Sequence, residues 1–308
     1  MKNIACFDVG GTFIKYALIN SEGKIILKDK FPSPKENCRE NIPMEMVNKI
    51  KEFQKQYNVD KVGISTAGQV DSKKGEIVFA SANLPEYTGA KLAEYIKTEL
   101  NIEAFIENDV NAAALGEKWK GAGKHREDFV CVTLGTGIGG AIIINGKLYK
   151  GVSGSAGEIG HTIINEGGEK CNCGCNGCYE RYASTSAFVR QYIEKAKTCG
   201  IEVIEHIDGE KIMDLVHNGD KIAQEVYDEF LNHVANGLVN VTHILDPGVI
   251  VVGGGISAQG EEFFEALKKK FKERAMDSYA EHTSIIPAEL ANDAGIYGAC
   301  YIALEELR

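Results

Sequence analysis

Three glycine-rich turns stand where predicted strands end, and glycine there would let the backbone come close to an anion. They are residues 8–12 (Asp-Val-Gly-Gly-Thr), 135–140 (Gly-Thr-Gly-Ile-Gly-Gly) and 253–255 (Gly-Gly-Gly). Because glycine has no Cβ atom, its N–H group can point at a phosphate without obstruction. Any one of these turns could be an ordinary tight hairpin, but three together favour binding of nucleotide phosphates.

The first turn adds two groups to this chemistry. Thr12 offers a hydroxyl donor, and Asp8 offers the carboxylate that a hydrated Mg²⁺ prefers. None of the three turns ends in the Gly-Lys-Ser/Thr of a P-loop. Nor does any lead into a helix as the Gly-x-Gly-x-x-Gly of a dinucleotide site does, which argues against an oxidoreductase of that kind.

Cysteines form a second cluster, since four of the nine lie within residues 171–178. A structural zinc takes four nitrogen or sulfur ligands in a tetrahedron. Three of these cysteines and an upstream histidine supply that number: His161, Cys171, Cys173 and Cys178. A Cys₄ site that uses Cys175 is an alternative, and a disulfide is a weaker one because thiols stay reduced in the cytosol.

A candidate acid–base group follows the predicted strand 103–107. Asn108 and Asp109 stand there, just before an alanine-rich predicted helix over residues 112–118. An aspartate at a helix start is a good N-cap, which is a purely structural interpretation. A carboxylate at a strand end could instead accept the proton of a substrate hydroxyl.

The elements that would hold these groups occur twice. A unit of strand, glycine turn, strand, tight turn and strand covers residues 3–29 and returns over residues 129–149. Strands and helices alternate after each unit, which predicts an α/β fold with mainly parallel central strands. Helices are predicted over residues 42–57, 90–100, 184–198, 208–216, 220–245 and 259–278. The repeat predicts a duplicated domain, with a cleft between the halves.

Charge and hydropathy argue against a nucleic-acid-binding protein and against a membrane protein. Lys and Arg total 34 against 44 Asp and Glu, a formal net charge of −10, which argues against nucleic-acid binding. No segment approaches the apolar length of about 18 residues that a membrane helix needs. The N-terminus lacks the apolar run of a secretory signal, so a cytoplasmic protein with no membrane partner is expected.

The motifs resemble those of the ROK family (repressors, open reading frames and sugar kinases), within the actin/hexokinase-like ATPase superfamily. The resemblance spans essentially the whole chain. It rests on residues 8–12, on residues 134–140, and on the pattern Cys-x-Cys-Gly-x-x-Gly-Cys-x-Glu at residues 171–180. It implies a duplicated actin-like (ribonuclease H-like) fold with an N-terminal domain over residues 1–116 and a larger domain over 117–292. A final helix over 293–308 would pack back on the first domain.

The resemblance also implies ATP and Mg²⁺ as cofactors and a structural Zn²⁺. The nucleotide and its metal would be held by Asp8, Gly10, Gly11, Thr12, Lys15, Gly135, Thr136, Gly137, Gly139, Gly253, Gly254 and Gly255. Many members carry lysine where this chain has Phe13, so Lys15 is the nearest lysine to that position. The zinc ligands would be His161, Cys171, Cys173 and Cys178, with Cys175 at a variable position of the motif.

By the same resemblance, Asp109 is the general base of phosphoryl transfer to a sugar hydroxyl. The sugar would be contacted by Gly68, Asn83, Asn108, Asp109, Glu158, His161 and Glu180. The implied activity is that of an ATP-dependent hexose kinase acting on the 6-hydroxyl, and the zinc motif with residues 116–123 favours glucose. Members of the family are commonly homodimers or homotetramers.

Three alternatives are compared with this prediction. Ala67-Gly68, where many family glucokinases have Pro-Gly, is closer to N-acetylmannosamine kinases, so an N-acylhexosamine or fructose kinase is the first. A sugar-sensing repressor of the family is more distant, because the first glycine turn at residue 8 is expected to leave no room for a helix-turn-helix before it. A noncatalytic zinc module would not need three phosphate turns.

Overall fold

The fold was determined as a computed structural model, which describes residues 2–203 and 205–305, apart from the side chains of residues 257 and 258. Its strands are β1 (Asn3–Val9), β2 (Phe13–Asn20), β3 (Ile25–Pro32), β4 (Lys61–Thr66), β5 (Gln69–Asp71), β6 (Glu76–Phe79), β7 (Ala104–Asn108), β8 (Phe129–Leu134), β9 (Ile138–Ile144), β10 (Lys147–Leu148), β11 (Val249–Gly253) and β12 (Ser284–Pro287). Its α-helices are α1 (Cys38–Gln54), α2 (Leu92–Leu100), α3 (Asp109–Lys120), α4 (Glu180–Ala183), α5 (Thr185–Thr198), α6 (Gly209–His217), α7 (Lys221–Leu245), α8 (Glu261–Lys272), α9 (Asp277–His282) and α10 (Ala294–Glu305).

The chain divides into two compact units. The first contains Met1–Arg126, Gly146–Ala156 and Glu289–Arg308, and the second contains Glu127–Asn145 and Gly157–Ala288. The α10 helix therefore belongs with the N-terminal part of the chain. The boundaries expected from sequence, after residues 116 and 292, stay a prediction.

The first unit is built on a five-stranded sheet with strand order β3-β2-β1-β4-β7. The central strand β1 runs antiparallel to β2 and parallel to β4, and β4 runs parallel to β7. Along β1, Phe7 points into a core shared with α1 and α2, whereas Cys6 points into a core shared with α10. Both sheet faces are thus covered, as the apolar sequence of β1 requires.

Helix α10 lies unusually close to its neighbours in the first unit. A Cβ atom at Gly298 would lie 1.8 Å from the carbonyl oxygen of Ala112 in α3, and one at Gly63 in β4 would lie 1.8 Å from that of Ala299. These two glycines therefore serve helix and sheet packing rather than phosphate binding.

The second unit repeats the arrangement of the first. Its strands follow the order β9-β8-β11-β12, with β8, β11 and β12 parallel and β9 antiparallel to β8. This order corresponds to β2-β1-β4-β7 of the first unit, so the predicted duplicated α/β fold is confirmed. Its core is formed by these strands with helices α5 to α8.

Several predicted elements differ from the observed ones. The single helix expected over 259–278 is two helices, α8 and α9, because Met276 between them is extended at φ −59° and ψ 140°. The second glycine turn is shorter than predicted, since Gly139 and Gly140 lie within β9 and pair with Thr133 and Val132 of β8. In the described residues, no helix combines the length and apolar character that crossing a membrane requires.

Candidate functional site

The junction of β7 and α3 carries the candidate base. The helix begins at Asp109, three residues earlier than predicted, because the side chain of Asn108 caps it by accepting from the N–H groups of Val110 (2.9 Å) and Asn111 (3.2 Å). The N-cap role that could have explained Asp109 structurally therefore belongs to Asn108. The carboxylate of Asp109 is therefore not needed as the cap of α3.

Asp109 is held through one of its two oxygens. Oδ1 accepts from the side-chain amide of Asn108 (2.9 Å) and from the N–H of Val110 (3.0 Å). The same amide also donates to the carbonyl oxygen of Gly68 (3.0 Å), which brings two predicted sugar-binding residues to the candidate base. The orientation of Asp109 is thus fixed while Oδ2 receives neither bond.

The environment raises the pKa of Asp109 to about 6. Removal of the carboxylate from solvent is the main cause, and the nearby negative charge of Asp8 adds to it, while hydrogen bonds from Val110 and Asn108 act in the opposite direction. A carboxylate with such a pKa is a stronger base than an exposed aspartate and is still largely ionised at neutral pH.

Asp8, the candidate Mg²⁺ ligand, lies near the end of β1 beside the first glycine turn. Its Oδ1 accepts from Ser65 (2.8 Å), and its Oδ2 pairs with Lys15 (3.2 Å), which also donates to the carbonyl of Asn292 (2.9 Å). Gly295 leaves room there, because a Cβ atom would lie 2.7 Å from Asp8 Oδ1. A single carboxylate in this position fits a magnesium ion that keeps most of its water ligands.

Ser65 is a partner that the sequence did not single out. It stands opposite Asp8 in the parallel register of β1 and β4. The contact between Ser65 and Asp8 could have been predicted from the sequence by pairing these two predicted strands in that register.

The first glycine turn is a compact hairpin. The N–H of Gly10 donates to the carbonyl of Phe13 (3.1 Å), and Ser33 donates its hydroxyl to the carbonyl of Gly10 (2.6 Å). A Cβ atom at Gly11 would lie 3.1 Å from the Cβ of Asn83, so this predicted sugar-binding residue lies against the predicted phosphate turn. Thr12 is exposed, as a phosphate contact requires.

In the second unit, the other two glycine turns lie against each other. Gly254 has φ +94°, and a Cβ atom there would lie 2.2 Å from the carbonyl of Leu134, directly before the second turn. In that turn the N–H of Gly135 donates to the carbonyl of Gly137 (3.0 Å), and Thr136 is exposed. A Cβ atom at Gly135 or at Gly255 would meet no other atom within 4 Å, so both backbones face open space.

The predicted zinc ligands come together in the second unit. The ligand atoms of His161, Cys171, Cys173 and Cys178 all lie within 4.8 Å of one another. Cys171 Sγ lies 3.6 Å from His161 Nδ1, and the sulfurs of Cys173 and Cys178 lie 3.5 Å apart. One nitrogen and three sulfurs at this spacing fit the donor set of a tetrahedral structural zinc.

The loop that carries these cysteines is shaped by its glycines. Gly177 has φ +78°, and a Cβ atom there would lie 1.8 Å from the carbonyl of Asn165, so glycine is required by conformation and by space. Cys175 lies outside the group of four and is exposed, while its carbonyl accepts from the N–H of Cys171 (2.8 Å).

Two predicted sugar-binding carboxylates flank the cysteine cluster. Glu180 Oε1 lies 3.2 Å from Cys171 Sγ and 3.8 Å from His161 Nδ1. A Cβ atom at Gly137 would lie 2.6 Å from Glu180 Oε2, so this carboxylate lies between the cysteines and the second glycine turn. Glu158 Oε2 lies 3.9 Å from His161 Nε2.

Known proteins similar to this chain include members of the family that its sequence motifs predicted. The profile of the ROK family matches residues 4–306. A glucokinase of Thermotoga maritima is 33% identical over 307 residues, covering 97% of this chain and 96% of its own.

Two solved structures extend the likeness to the fold. A ROK family glucokinase from Streptomyces griseus, in complex with glucose and AMPPNP, matches with a TM-score of 0.83 at 32% identity, covering 98% of this chain and 99% of its own. A putative N-acetylmannosamine kinase from Listeria monocytogenes matches with a TM-score of 0.86 at 30% identity, covering 99% and 100%. With its profile match, its duplicated actin-like fold and these relatives, the chain belongs to the ROK family.

Proposed function

We propose that the chain is an ATP-dependent hexose kinase that transfers the γ-phosphoryl group of ATP to the 6-hydroxyl of glucose. The observation that carries this proposal is Asp109: a carboxylate with a pKa raised to about 6, oriented through Oδ1 at a strand end beside Asp8. Phosphoryl transfer needs a base within reach of the acceptor hydroxyl and groups that position the two substrates. The glucokinases among the relatives support glucose as the acceptor.

Several of the predicted residues then have a part in the reaction. Asp109 Oδ2 accepts the proton of the 6-hydroxyl as the oxygen attacks phosphorus, while Asn108 keeps the carboxylate in place. Backbone N–H groups of the glycine turns bind phosphate oxygens, and Asp8 would hold a hydrated Mg²⁺. Bound Mg²⁺ supplies positive charge that offsets the charge of the phosphates.

The residues proposed to hold the sugar are drawn from separate parts of the sequence. Besides Asn108 and Asp109, they are Gly68, Asn83, Glu158, His161 and Glu180. Carboxylates that accept from neighbouring hydroxyls suit a polyol. Zinc on His161 and the three cysteines would fix the loop that orients these side chains, without entering the reaction.

An N-acylhexosamine kinase is the second candidate, because Ala67 precedes Gly68 here and the Listeria structure has a similar fold. Assays of ADP release with glucose, N-acetylmannosamine, N-acetylglucosamine and fructose distinguish the candidates. We expect kcat/KM for glucose to exceed that for each other sugar at least tenfold. A higher value for N-acetylmannosamine would reject glucose as the acceptor while leaving the kinase reaction intact.

The rate should depend on pH through Asp109. Since only the ionised carboxylate accepts a proton, kcat/KM for the sugar is expected to fall about tenfold for each pH unit below about 6, with ATP kept saturating at every pH. Steady-state rates between pH 5 and 8, with ATP binding measured separately, check this. A rate that stays constant down to pH 5 would contradict Asp109 as the base.

The assembly and location of the protein stay predictions of its sequence. The resemblance implies a homodimer or homotetramer, and the cytoplasmic location is the expectation stated from the sequence. Measurement of molar mass in solution would decide the first of these.

A further inference from the structure

A buried carboxylate directly precedes the candidate site. Glu107, the residue before Asn108, is 3% exposed and is bound through both of its oxygens. Its Oε1 accepts from the N–H of Asn108 and from the side-chain amide of Asn111, both at 3.1 Å. Its Oε2 accepts from Ser72 (3.0 Å) and forms an ion pair with Lys150.

This one carboxylate joins three segments of the first unit. Asn108 and Asn111 belong to the β7–α3 junction, Ser72 follows β5, and Lys150 lies in the segment after β10. Lys150 also donates to Ser72 (3.1 Å), which closes a triangle of contacts. The Glu107 carboxylate is nearly inaccessible to solvent, whereas the Lys150 side chain is 41% exposed. The buried negative charge is therefore paired with a lysine that lies at the surface.

The contacts continue from Glu107 to Asp109 without a gap. The N–H of Asn108 is held by Glu107, and both halves of the Asn108 side-chain amide are used: its oxygen caps α3 and its nitrogen donates to Asp109 and Gly68. A shift of the Asn108 backbone would therefore move the carboxylate of Asp109. Small misplacements of a base reduce the rate far more than they reduce substrate binding.

Since a buried carboxylate is stable only when its charge is paired, the position of this junction depends on Lys150. We propose that Glu107 and Lys150 are positioning residues of the phosphoryl transfer, a role that rests on the proposed function. Lys150 neutralises Glu107, and Glu107 holds the β7–α3 junction so that Oδ2 of Asp109 meets the acceptor hydroxyl.

Lys150→Met, Glu107→Gln and the double variant test this role, with Lys147→Met, on an exposed lysine of the adjacent strand β10, as the matched control. Lys150→Met leaves Glu107 buried and unpaired, so we expect kcat to fall at least tenfold while the KM for glucose changes less than threefold. Adding Glu107→Gln removes the unpaired charge but keeps the acceptor for the Asn108 N–H. The double variant should therefore be faster than Lys150→Met alone, a strongly non-additive result.

Two outcomes would overturn the role. The first is a kcat of Lys150→Met within twofold of wild type. The second is a double variant that is no faster than Lys150→Met. That result would indicate that Lys150 contacts substrate directly, because Glu107→Gln could not then restore the lost activity. Thermal melting is measured on every variant. If Lys150→Met does not fold, Ser72→Ala takes its place, and it should lower kcat with an unchanged KM, whereas an unchanged kcat rejects the role. An inactive wild type would instead reject the proposed function itself.

Discussion

Replacement of Asp109 by asparagine should lower kcat by about 10²–10⁴-fold, the usual contribution of a positioned general base. Asparagine keeps the shape of the side chain and its Oδ1 acceptor, but it cannot take a proton from the hydroxyl. Binding of ATP should be unchanged, because the phosphate contacts come from the glycine turns and not from Asp109. Steady-state kinetics with glucose, together with ATP binding by calorimetry, measure both effects.

The stability of this variant separates a chemical effect from unfolding. The pKa of Asp109 is raised on folding from 3.8 to about 6, so the folded state binds this proton more tightly than the unfolded state does. The stabilisation from the protonated carboxyl is fully present below pH 3.8 and is lost as the pH rises through about 6. At pH 7, Asp109→Asn should therefore melt no lower than wild type. Asp29→Asn, which changes an exposed aspartate of β3, is the control and should keep full activity. If Asp109→Asn turns over nearly as fast as this control, Asp109 is not the general base.

The second large effect is expected at the cysteine cluster. Purified protein should contain about one zinc per chain, and Cys178→Ser should lose most of it. Cys178 is fully buried, so its loss removes one ligand and leaves the loop without its cross-link. Loss of a structural metal is among the few single changes that cost more than about 4 kcal/mol, so the melting temperature and the kinase activity should both fall sharply.

Two other cysteines make this test specific. Cys175→Ser changes a thiol of the same loop that lies outside the group of four, and Cys199→Ser changes an exposed thiol elsewhere. Both should keep their zinc and their melting temperature. Loss of zinc from Cys175→Ser with retention in a His161 variant would indicate a Cys₄ site instead, and metal analysis of wild type that finds no zinc would reject the site altogether.

Much of the fold could be predicted from the sequence because the central strands β1, β8 and β11 are mostly apolar and each leads into a glycine turn. The duplication was visible because residues 3–29 and 129–149 repeat the same order of strands and turns. The break between α8 and α9 was not, since residues 273–276 carry no glycine or proline to mark it. The hairpin of β5 and β6 was also missed, because its strands have three and four residues and show little alternation.

The separate motifs of the candidate site were easier to predict than the contacts between distant residues that hold it together. Glycine turns and the cysteine spacing are local patterns, so they could be found by inspection of single segments. Ser65 against Asp8 and Lys150 against Glu107 join residues 57 and 43 positions apart in the chain, and only the strand register and loop paths bring them together. The capping role of Asn108 was missed for a different reason, since Asn and Asp are equally good caps and stand next to each other.

The proposed kinase reaction is tested most directly by the products that the wild-type, zinc-loaded protein forms from ATP, Mg²⁺ and glucose. ADP should appear only when the sugar is present, with one glucose 6-phosphate formed for each ADP. Folded protein that binds ATP but releases no sugar-dependent ADP with glucose or any other hexose would contradict the proposed reaction.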